Sequence, residues 1–121
     1  MSKKILVVDD DPTLLTVIKP FLESRGYLVF VASDGEQGIQ EAKKHNPDLI
    51  VLDVKMPKMN GYTFVFELKK IPTLLKVPII VLTAKEGMSE IFKVEGVKEY
   101  ILKPFKPEVL LTAINKCLEK G

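Results

Sequence analysis

Residues 5–10 read ILVVDD, four apolar residues followed directly by two acidic ones. An apolar run of this length, without alternating polar residues, is typical of a strand that is buried on both faces of a parallel sheet. The pattern recurs as LIVLD in residues 49–53 and as IIVLT in residues 79–83. The three runs therefore predict fully buried strands that each end at a polar side chain.

Strand-length apolar runs alternate with stretches of helical period along the whole chain. The candidate strands are Ile5 to Val8, Tyr27 to Ala32, Asp48 to Leu52, Pro78 to Leu82 and Tyr100 to Leu102. Candidate helices lie between the strands, and a last one closes the chain. Such alternation is typical of a doubly wound α/β fold. We therefore predict a five-stranded parallel sheet, in the order 2-1-3-4-5, with five helices on its two faces.

Local signals mark the ends of several predicted helices. Asp11 followed by Pro12 combines an N-cap residue with a first-turn proline, and Pro107 opens the last helix in a similar way. Asp34 and Gln37 resemble a capping box for the second helix. The last helix has one apolar stripe at three- and four-residue spacing, formed by Leu110, Ala113, Ile114 and Cys117.

Size and composition limit the classes of protein that the sequence can encode. With 121 residues the chain has the length of one domain, so we assign residues 1–121 to a single domain without an output domain. Hydrophobic residues make up 46% and charged residues 28%, which is typical of globular proteins. The apolar runs are too short to cross a bilayer and the N-terminus lacks a signal-peptide core, so we expect a cytoplasmic protein without a membrane partner.

Charge and cysteine content argue against two further classes of partner or cofactor. A net charge of +2, with basic residues scattered along the chain, gives no reason to expect direct contact with nucleic acid. The single cysteine, Cys117, excludes an internal disulfide and a metal cluster of the cysteine type.

Polar residues interrupt the buried strands at one kind of position, the carboxyl end. Asp9 and Asp10 follow the first strand, Asp53 the third, Thr83 the fourth and Lys103 the fifth. The carboxyl ends of parallel strands share one edge of the sheet, and ligands bind there where the strand order reverses. Three carboxylates gathered at this edge would repel one another, and a hard divalent cation such as Mg²⁺, which prefers oxygen ligands, relieves that repulsion.

Four motifs stand at these predicted strand ends. They are ILVVDD at 5–10, Asp53 with Met56, Pro57 and Gly61 after it, LTA at 82–84, and YILKPF at 100–105. In this order they resemble the receiver domain of two-component response regulators, and the resemblance covers essentially the whole chain. It implies that residues 1–121 form a receiver domain with the flavodoxin-like or CheY-like variant of the doubly wound fold.

The resemblance also implies a role for each acidic residue at this edge. Asp53 is the expected nucleophile that accepts a phosphoryl group. Asp9 and Asp10 are the expected acidic pair that holds Mg²⁺ or Mn²⁺ together with Asp53, Asp10 directly and Asp9 partly through water. Lys55 is expected to contribute its backbone carbonyl to the same ion.

Thr83 and Lys103 are expected, by the same resemblance, to bind phosphoryl oxygens through a hydroxyl and an ammonium group. The small side chain of Ala84 leaves room for its backbone amide to do the same. The family has a cis peptide bond at this point, which the pair Lys103 and Pro104 can form. These roles suit phosphoryl transfer, which needs alignment of the reactants and neutralisation of charge on the phosphoryl oxygens.

The function implied by the resemblance is a signalling switch that assists its own phosphorylation and dephosphorylation, rather than an enzyme. A histidine kinase or a phosphotransfer protein is the expected phosphoryl donor. Thr83 is expected to move toward the phosphoryl group and Tyr100 to turn into the space it leaves, which changes the face formed by the fourth helix, the fifth strand and the fifth helix. An unidentified downstream protein reads this face, and the domain acts as a monomer or as a phosphorylation-dependent dimer.

Three other functions compete with the switch. A phosphatase of the haloacid dehalogenase type needs a second acid two residues after its nucleophile, where this sequence has Lys55. A flavin-binding module needs a loop after the first strand that holds a phosphate, and residues 9–12, DDDP, are a poor cradle for an anion. A degenerate receiver that acts as a phosphorylation-independent docking module stays open, although Asp53, Thr83 and Lys103 argue against it.

Overall fold

Strands and helices alternate along the chain in the predicted order. The computed structural model describes residues 2–53, 61–83 and 97–119, and of residues 61 and 62 the backbone only. The strands are β1 Lys4–Val8, β2 Leu28–Ala32, β3 Leu49–Asp53, β4 Ile79–Thr83 and β5 Val97–Leu102. The helices are α1 Pro12–Ser24, α2 Gly35–His45, α3 Gly61–Leu68 and a C-terminal helix Pro107–Glu119, with a short 3₁₀ helix at Pro72–Leu74.

The strands form one parallel sheet in the order β2-β1-β3-β4-β5, so the predicted doubly wound fold is confirmed. β5 begins at Val97, earlier than the predicted start at Tyr100. The difference arises because Lys98 and Glu99 are polar, yet a strand at the edge of a sheet tolerates charged side chains. The fourth of the five predicted helices falls in residues 84–96, which lie outside the described residues.

Successive side chains of each strand point to opposite faces of the sheet, which gives the domain two cores. On one face, α2 and α3 cover a core that includes Leu52 and Phe64. On the other face, α1 and the C-terminal helix cover a core that includes Val51, Leu22 and Ile114. β3 and β4 are buried along their whole length, and the only polar residue of each is its last one.

The predicted starts of α1, α2 and the C-terminal helix are confirmed, and one cap differs in detail. Asp11 caps α1, since its side chain accepts a hydrogen bond from the N–H of Thr13 at 3.0 Å. Asp34 accepts from the N–H of Gln37 at 2.8 Å. The side-chain oxygen of Gln37, however, accepts from the N–H of Ser33 at 2.6 Å, one residue before the cap.

The C-terminal helix buries the apolar stripe that the sequence predicts. Leu110, Ala113 and Ile114 are buried, and Cys117 is partly buried against the same core. None of the described helices is both long enough and apolar enough to cross a membrane.

The close approach of α2 to the sheet depends on Gly38. A Cβ atom at this position would lie 2.8 Å from Cε1 of Phe64 and 3.1 Å from both Cγ atoms of Val8, and both side chains are fully buried. We expect Gly38→Ala to lower the free energy of unfolding by about 1–2 kcal/mol, because the overpacking outweighs the gain in helix propensity. Urea denaturation measures this change.

Gln40→Ala provides the matched control, since Gln40 is exposed on the same helix. We expect it to change the free energy of unfolding by less than about 0.5 kcal/mol. A Gly38→Ala protein as stable as the wild type would contradict the prediction, because it would mean that α2 moves outward without cost.

Candidate functional site

Five of the predicted site residues meet at the carboxyl edge of the sheet. Asp9, Asp10 and Asp53 each have a carboxylate oxygen within 4.8 Å of the others. The Nζ atom of Lys103 lies 2.9 Å from Oδ2 of Asp9 and 3.6 Å from Oδ1 of Asp53. Thr83 ends β4, the strand that pairs with β3 beside Asp53. The fold thus brings together residues from four separate strand ends.

Asp9 is fully buried, and both of its carboxylate oxygens have a hydrogen-bond donor. The N–H of Asp11 donates to Oδ1 at 2.9 Å, and Lys103 donates to Oδ2 at 2.9 Å. The N–H of Asp9 itself donates to the carbonyl of Ala32 at 3.0 Å, which extends the pairing of β1 with β2 by one residue. The carboxylate is therefore fixed in position and paired, as a buried charge requires.

The other two carboxylates differ in their access to solvent. Asp53 is 6% exposed, like Thr83 on the neighbouring strand. Asp10 is exposed, and within residues 2–53, 61–83 and 97–119 its carboxylate makes no hydrogen bond or ion pair. A ligand that arrives from solvent therefore finds Asp10 at the surface and Asp53 below it.

Lys103 enters the site from the end of β5 with its backbone held in place. Its N–H donates to the carbonyl of Thr83 at 2.7 Å, and its peptide bond to Pro104 is cis, as the resemblance implies. Burial lowers the pKa of Lys103, but the hydrogen bond to Asp9 and the charges of Asp9 and Asp53 outweigh burial and raise this pKa above its ordinary value of 10.5. The amine is therefore charged throughout the neutral pH range.

The charge and the donor atoms of this cluster fit a divalent cation. Within the described part of the chain, one ammonium group faces three carboxylates, which leaves an excess of negative charge. Carboxylate oxygens are the hard ligands that Mg²⁺ and Mn²⁺ prefer. Asp9, Asp10 and Asp53 could hold such an ion. Lys55 and Ala84, for which the resemblance implies backbone roles, lie outside the described residues.

Two contacts of the site do not follow from the sequence prediction. Asp11 was expected only to cap α1, but its N–H also orients Asp9, and the position two residues after an Asp is a common donor to that side chain. Lys103 was expected only to bind phosphoryl oxygens, but its nearest carboxylate is Asp9. No sequence signal predicts this second contact, since 94 residues separate the partners.

Comparison with known proteins decides the family. The family model for the response regulator receiver domain matches residues 5–115 of this chain. The chain belongs to the response regulator receiver domain family. The resemblance drawn from the four motifs is therefore confirmed. This receiver domain is 40% identical to the alkaline phosphatase synthesis transcriptional regulatory protein PhoP of Bacillus subtilis, over 100% of this chain and 50% of that protein.

Two further relatives match the receiver domain along nearly their whole length. It is 34% identical to the chemotaxis protein CheY of Bacillus subtilis, over 98% of this chain and 99% of that protein. A crystal structure of the receiver domain of a sensor histidine kinase from Pseudomonas aeruginosa, with a magnesium ion coordinated in its active site cleft, has a TM-score of 0.85 at 31% identity and covers 96% of this chain and 97% of that one. The receiver domain thus spans about half the length of several curated relatives and nearly all of others.

The raised pKa of Lys103 predicts how the stability of the receiver domain depends on pH. Because this pKa is higher in the folded than in the unfolded state, the charged amine contributes stability that is fully present below pH 10.5 and is lost as the pH rises through the folded value. In Lys103→Met this contribution is absent at every pH. We therefore expect its free energy of unfolding, measured in urea at several pH values, to fall less steeply above pH 10.5 than that of the wild type.

Tyr27 titrates in the same alkaline range and is the same in both proteins, so its effect cancels in the difference. Burial and the charge of Glu119 raise the pKa of Tyr27 above 10.0. Equal slopes for the wild type and Lys103→Met would contradict the assigned role of the Lys103 ion pairs.

Proposed function

We propose that this receiver domain is a phosphorylation-dependent signalling switch that accepts a phosphoryl group on Asp53 from a histidine kinase or a phosphotransfer protein. The observation that carries the proposal is the meeting of a buried carboxylate, a charged amine and a cluster of acidic oxygens at one edge of the sheet. Membership of the receiver family supports it, and so does the end-to-end similarity to a chemotaxis protein.

Each group supplies a distinct part of the proposed phosphoryl transfer. An oxygen of Asp53 attacks phosphorus, the bond between phosphorus and the leaving group breaks, and the leaving group keeps the bonding electrons. The ammonium group of Lys103, 3.6 Å from Asp53, neutralises charge on the phosphoryl oxygens. The hydroxyl of Thr83 donates a hydrogen bond to the same oxygens. The domain thus acts by alignment and charge neutralisation and assists its own phosphorylation.

The cation site that we propose consists of Asp9, Asp10 and Asp53, with Mg²⁺ or Mn²⁺ as the ion. A bound ion supplies positive charge beside the phosphoryl oxygens. The exposed Asp10 suits a direct ligand, whereas both oxygens of Asp9 already accept hydrogen bonds, which suits a ligand that acts partly through water. The magnesium ion of the Pseudomonas aeruginosa receiver domain supports this assignment. The backbone carbonyl of Lys55 stays a predicted further ligand.

A protein that donates a phosphoryl group has to approach Asp53 from the carboxyl edge of the sheet, and an apolar pocket lies beside the site there. Its volume is about 500 Å³, and it lies between α1 and the start of the C-terminal helix, lined by Leu14, Val17, Ile18, Lys103 and Phe105 among others. Val17, which is 50% exposed, adds apolar surface to this pocket. We propose this pocket as part of the contact surface for the donor.

The signal is proposed to leave the site through β5. Thr83 pairs with Leu102 of β5, so a movement of Thr83 reaches the strand that contains Tyr100. Tyr100 is half-buried and packs against the core under α2 and α3. A groove of about 730 Å³ runs along β5 and the C-terminal helix and offers a downstream protein a surface lined by Tyr100, Leu102, Lys106 and Val109 among others. The predicted fourth helix of this face lies outside the described residues.

Several expectations about the whole protein stay predictions. These are the assignment of residues 1–121 as a domain without an output domain, the cytoplasmic location, the absence of direct nucleic-acid and membrane partners, and the state as a monomer or a phosphorylation-dependent dimer. The competing function, a degenerate receiver that only docks to proteins, requires the same surface grooves but no phosphoryl transfer. The state of Asp53 therefore distinguishes the two.

Incubation with acetyl phosphate tests the phosphoryl acceptor directly. With Mg²⁺ present, we expect intact-mass spectrometry to detect one added phosphoryl group on the wild type and none on Asp53→Asn, which keeps the shape of the side chain but lacks the nucleophilic carboxylate. Without divalent cation, modification is expected to be at least about tenfold slower, because charge at the site is not neutralised.

Two outcomes would contradict the proposal. A phosphoryl group on Asp53→Asn would assign the acceptor to another residue. A folded wild type that stays unmodified with saturating Mg²⁺ would favour the docking module.

Tyr100→Trp introduces the sole tryptophan of the chain and reports the proposed movement in β5. When beryllofluoride and Mg²⁺ are added as a phosphoryl analogue, we expect the emission to shift to shorter wavelengths, because the ring turns from a partly exposed to a buried position. The double variant with Thr83→Ala lacks the hydroxyl that starts the movement and is expected to show no shift. An unchanged spectrum of the single variant with the analogue bound would exclude this route for the signal.

A further inference from the structure

Four exposed lysines gather at the amino edge of the sheet, on the side that α2 and α3 cover. Each helix leads from the end of one strand back to the start of another, so α2 and α3 both end at this edge. Lys43 and Lys44 lie in the last turn of α2, Lys70 follows α3, and Lys76 precedes β4. Residues that are scattered along the sequence are thus brought together by the fold. We call these four lysines, together with Phe66 and Leu75, the lysine face.

Side-chain hydrogen bonds hold the connections of the lysine face in place. The hydroxyl of Thr73 donates to Oδ1 of Asn46 at 3.0 Å, which ties the 3₁₀ helix to the C-cap of α2. Nζ of Lys69 donates to the carbonyl of Leu75 at 2.7 Å, which holds the connection between α3 and β4 against the end of α3. A partner that binds here does not have to order these connections, so less of its binding energy is lost.

The lysine face has a surplus of positive charge. The acidic side chains in the later turns of α2 and α3 already have basic partners, because Glu41 lies 3.4 Å from Nε2 of His45 and Glu67 lies 3.1 Å from Nζ of Lys70. Among the described residues, the other three lysines of the face make no ion pair or hydrogen bond. A cation at a helix C-terminus stabilises the helix, which accounts for the two lysines of α2 but not for Lys76.

Two exposed apolar side chains accompany these lysines. Phe66 of α3 is 64% exposed and Leu75, after the 3₁₀ helix, is 46% exposed. Nζ of Lys70 lies 4.7 Å from the centre of the Phe66 ring, so the ammonium group covers one face of the ring. Apolar side chains next to unpaired charges of one sign suit a protein partner that offers apolar groups and the opposite charge.

We propose that the lysine face is a docking surface for an acidic segment of a protein partner, whose carboxylates pair with the lysines and whose apolar side chains cover Phe66 and Leu75. Single-stranded nucleic acid suits the face less, because bases stack on open aromatic rings and Lys70 covers one side of Phe66. A membrane also suits it less, because two exposed side chains insert little apolar area. This inference goes beyond the proposed phosphoryl transfer and does not depend on it.

The position of the lysine face separates docking from the switch. It lies at the amino edge of the sheet, whereas Asp53 lies at the carboxyl edge, and the buried strands β3 and β4 run between the two edges. Coupling between two sites requires an element with two arrangements, and the movement proposed above leads to β5 instead. The lysine face therefore holds its partner equally well with and without a phosphoryl group, as a constant tether beside the switch.

Titration of the isotope-labelled chain with a synthetic peptide tests the docking surface. The probe is an amphipathic helical peptide with glutamates on one face and leucines on the other, and nuclear magnetic resonance maps where it binds. We expect the amide signals of residues 43–46 and 70–76 to shift. The double variant Lys43→Gln, Lys76→Gln is expected to bind about tenfold more weakly, because each exposed charge pair adds a small factor to the affinity.

Lys106→Gln combined with Lys116→Gln provides the matched control. Both lysines are exposed at the C-terminal helix, and their loss changes the net charge by the same amount. We expect this control to change the Kd by less than about twofold, because salt screens charges that lie far from the bound peptide.

Two further readouts separate docking from a non-specific attraction of charge. Phe66→Ser, which keeps the charges of the face, is expected to weaken binding about fivefold, because the leucines of the peptide lose an apolar contact. A peptide of the same composition with a scrambled order is expected to bind more weakly than the probe. Beryllofluoride with Mg²⁺ is expected to leave the Kd of the probe within about twofold, because the two edges of the sheet are not coupled.

Several outcomes would overturn the docking surface. Equal weakening in the two double variants would attribute binding to net charge, and signal shifts confined to other residues would place the peptide elsewhere. Tighter binding to phosphatidylglycerol vesicles or to a single-stranded oligonucleotide than to the probe, lost in Lys43→Gln, Lys76→Gln, would assign the face to a membrane or to nucleic acid. A Kd that changes strongly with beryllofluoride would exclude a constant tether. None of these results bears on phosphorylation of Asp53.

Discussion

Burial on both faces of the central strands is the constraint from which the site follows. β3 and β4 have helices on both sides, so an unpaired polar side chain along them would be desolvated without compensation. Polar residues are tolerated only where a strand leaves the sheet. Because all five strands are parallel, those exits lie at the same edge. The requirement for apolar packing therefore concentrates the chemistry of the chain in one place.

Carboxylates that lie close together repel one another, and nearby hydrogen-bond donors and an ammonium group offset part of this repulsion. Asp9 is stabilised by one backbone N–H and one ammonium group, and Asp53 shares that ammonium group at a longer distance. Among the residues that the structure describes, one positive charge does not balance the cluster, and Asp10 adds a further carboxylate at the surface. Functional sites commonly keep such unfavourable arrangements because a ligand resolves them. The excess negative charge is thus the property on which the proposed cation site depends.

The fold and most of the site could be predicted from the sequence because both depend on local pattern. Uninterrupted apolar runs give the strands, and the polar residue after each run gives the members of the site. Prediction was less accurate where a neighbour in space decides the outcome. β5 extends back to Val97 because pairing with β4 overrides the polar character of Lys98 and Glu99. The Gln37 side chain bonds to Ser33 rather than to Asp34, which depends on the geometry of the loop.

The contact between Lys103 and Asp9 could not be predicted, for a related reason. The sequence places both residues at the same edge, but it does not say which of two nearby carboxylates an amine prefers. That preference depends on differences of less than an ångström and on the degree to which each carboxylate is desolvated. Asp9 has no solvent exposure and Asp53 has little, and Lys103 lies within ion-pair distance of both, so its nearer partner is known only from the folded structure.

Because β5 lies at the edge of the sheet, we expect it to be less rigid than the central strands β3 and β4. β3 and β4 are central strands, paired on both sides and covered on both faces, and backbone amides in such strands exchange with solvent mainly when the whole domain unfolds. β5 is an outer strand of the described sheet and several of its residues are partly exposed. A perturbation that begins at the end of β3 reaches β5 only through β4, because β4 lies between these two strands in the sheet. We therefore expect the proposed movement of Thr83 to displace β5 more than it displaces the central strands.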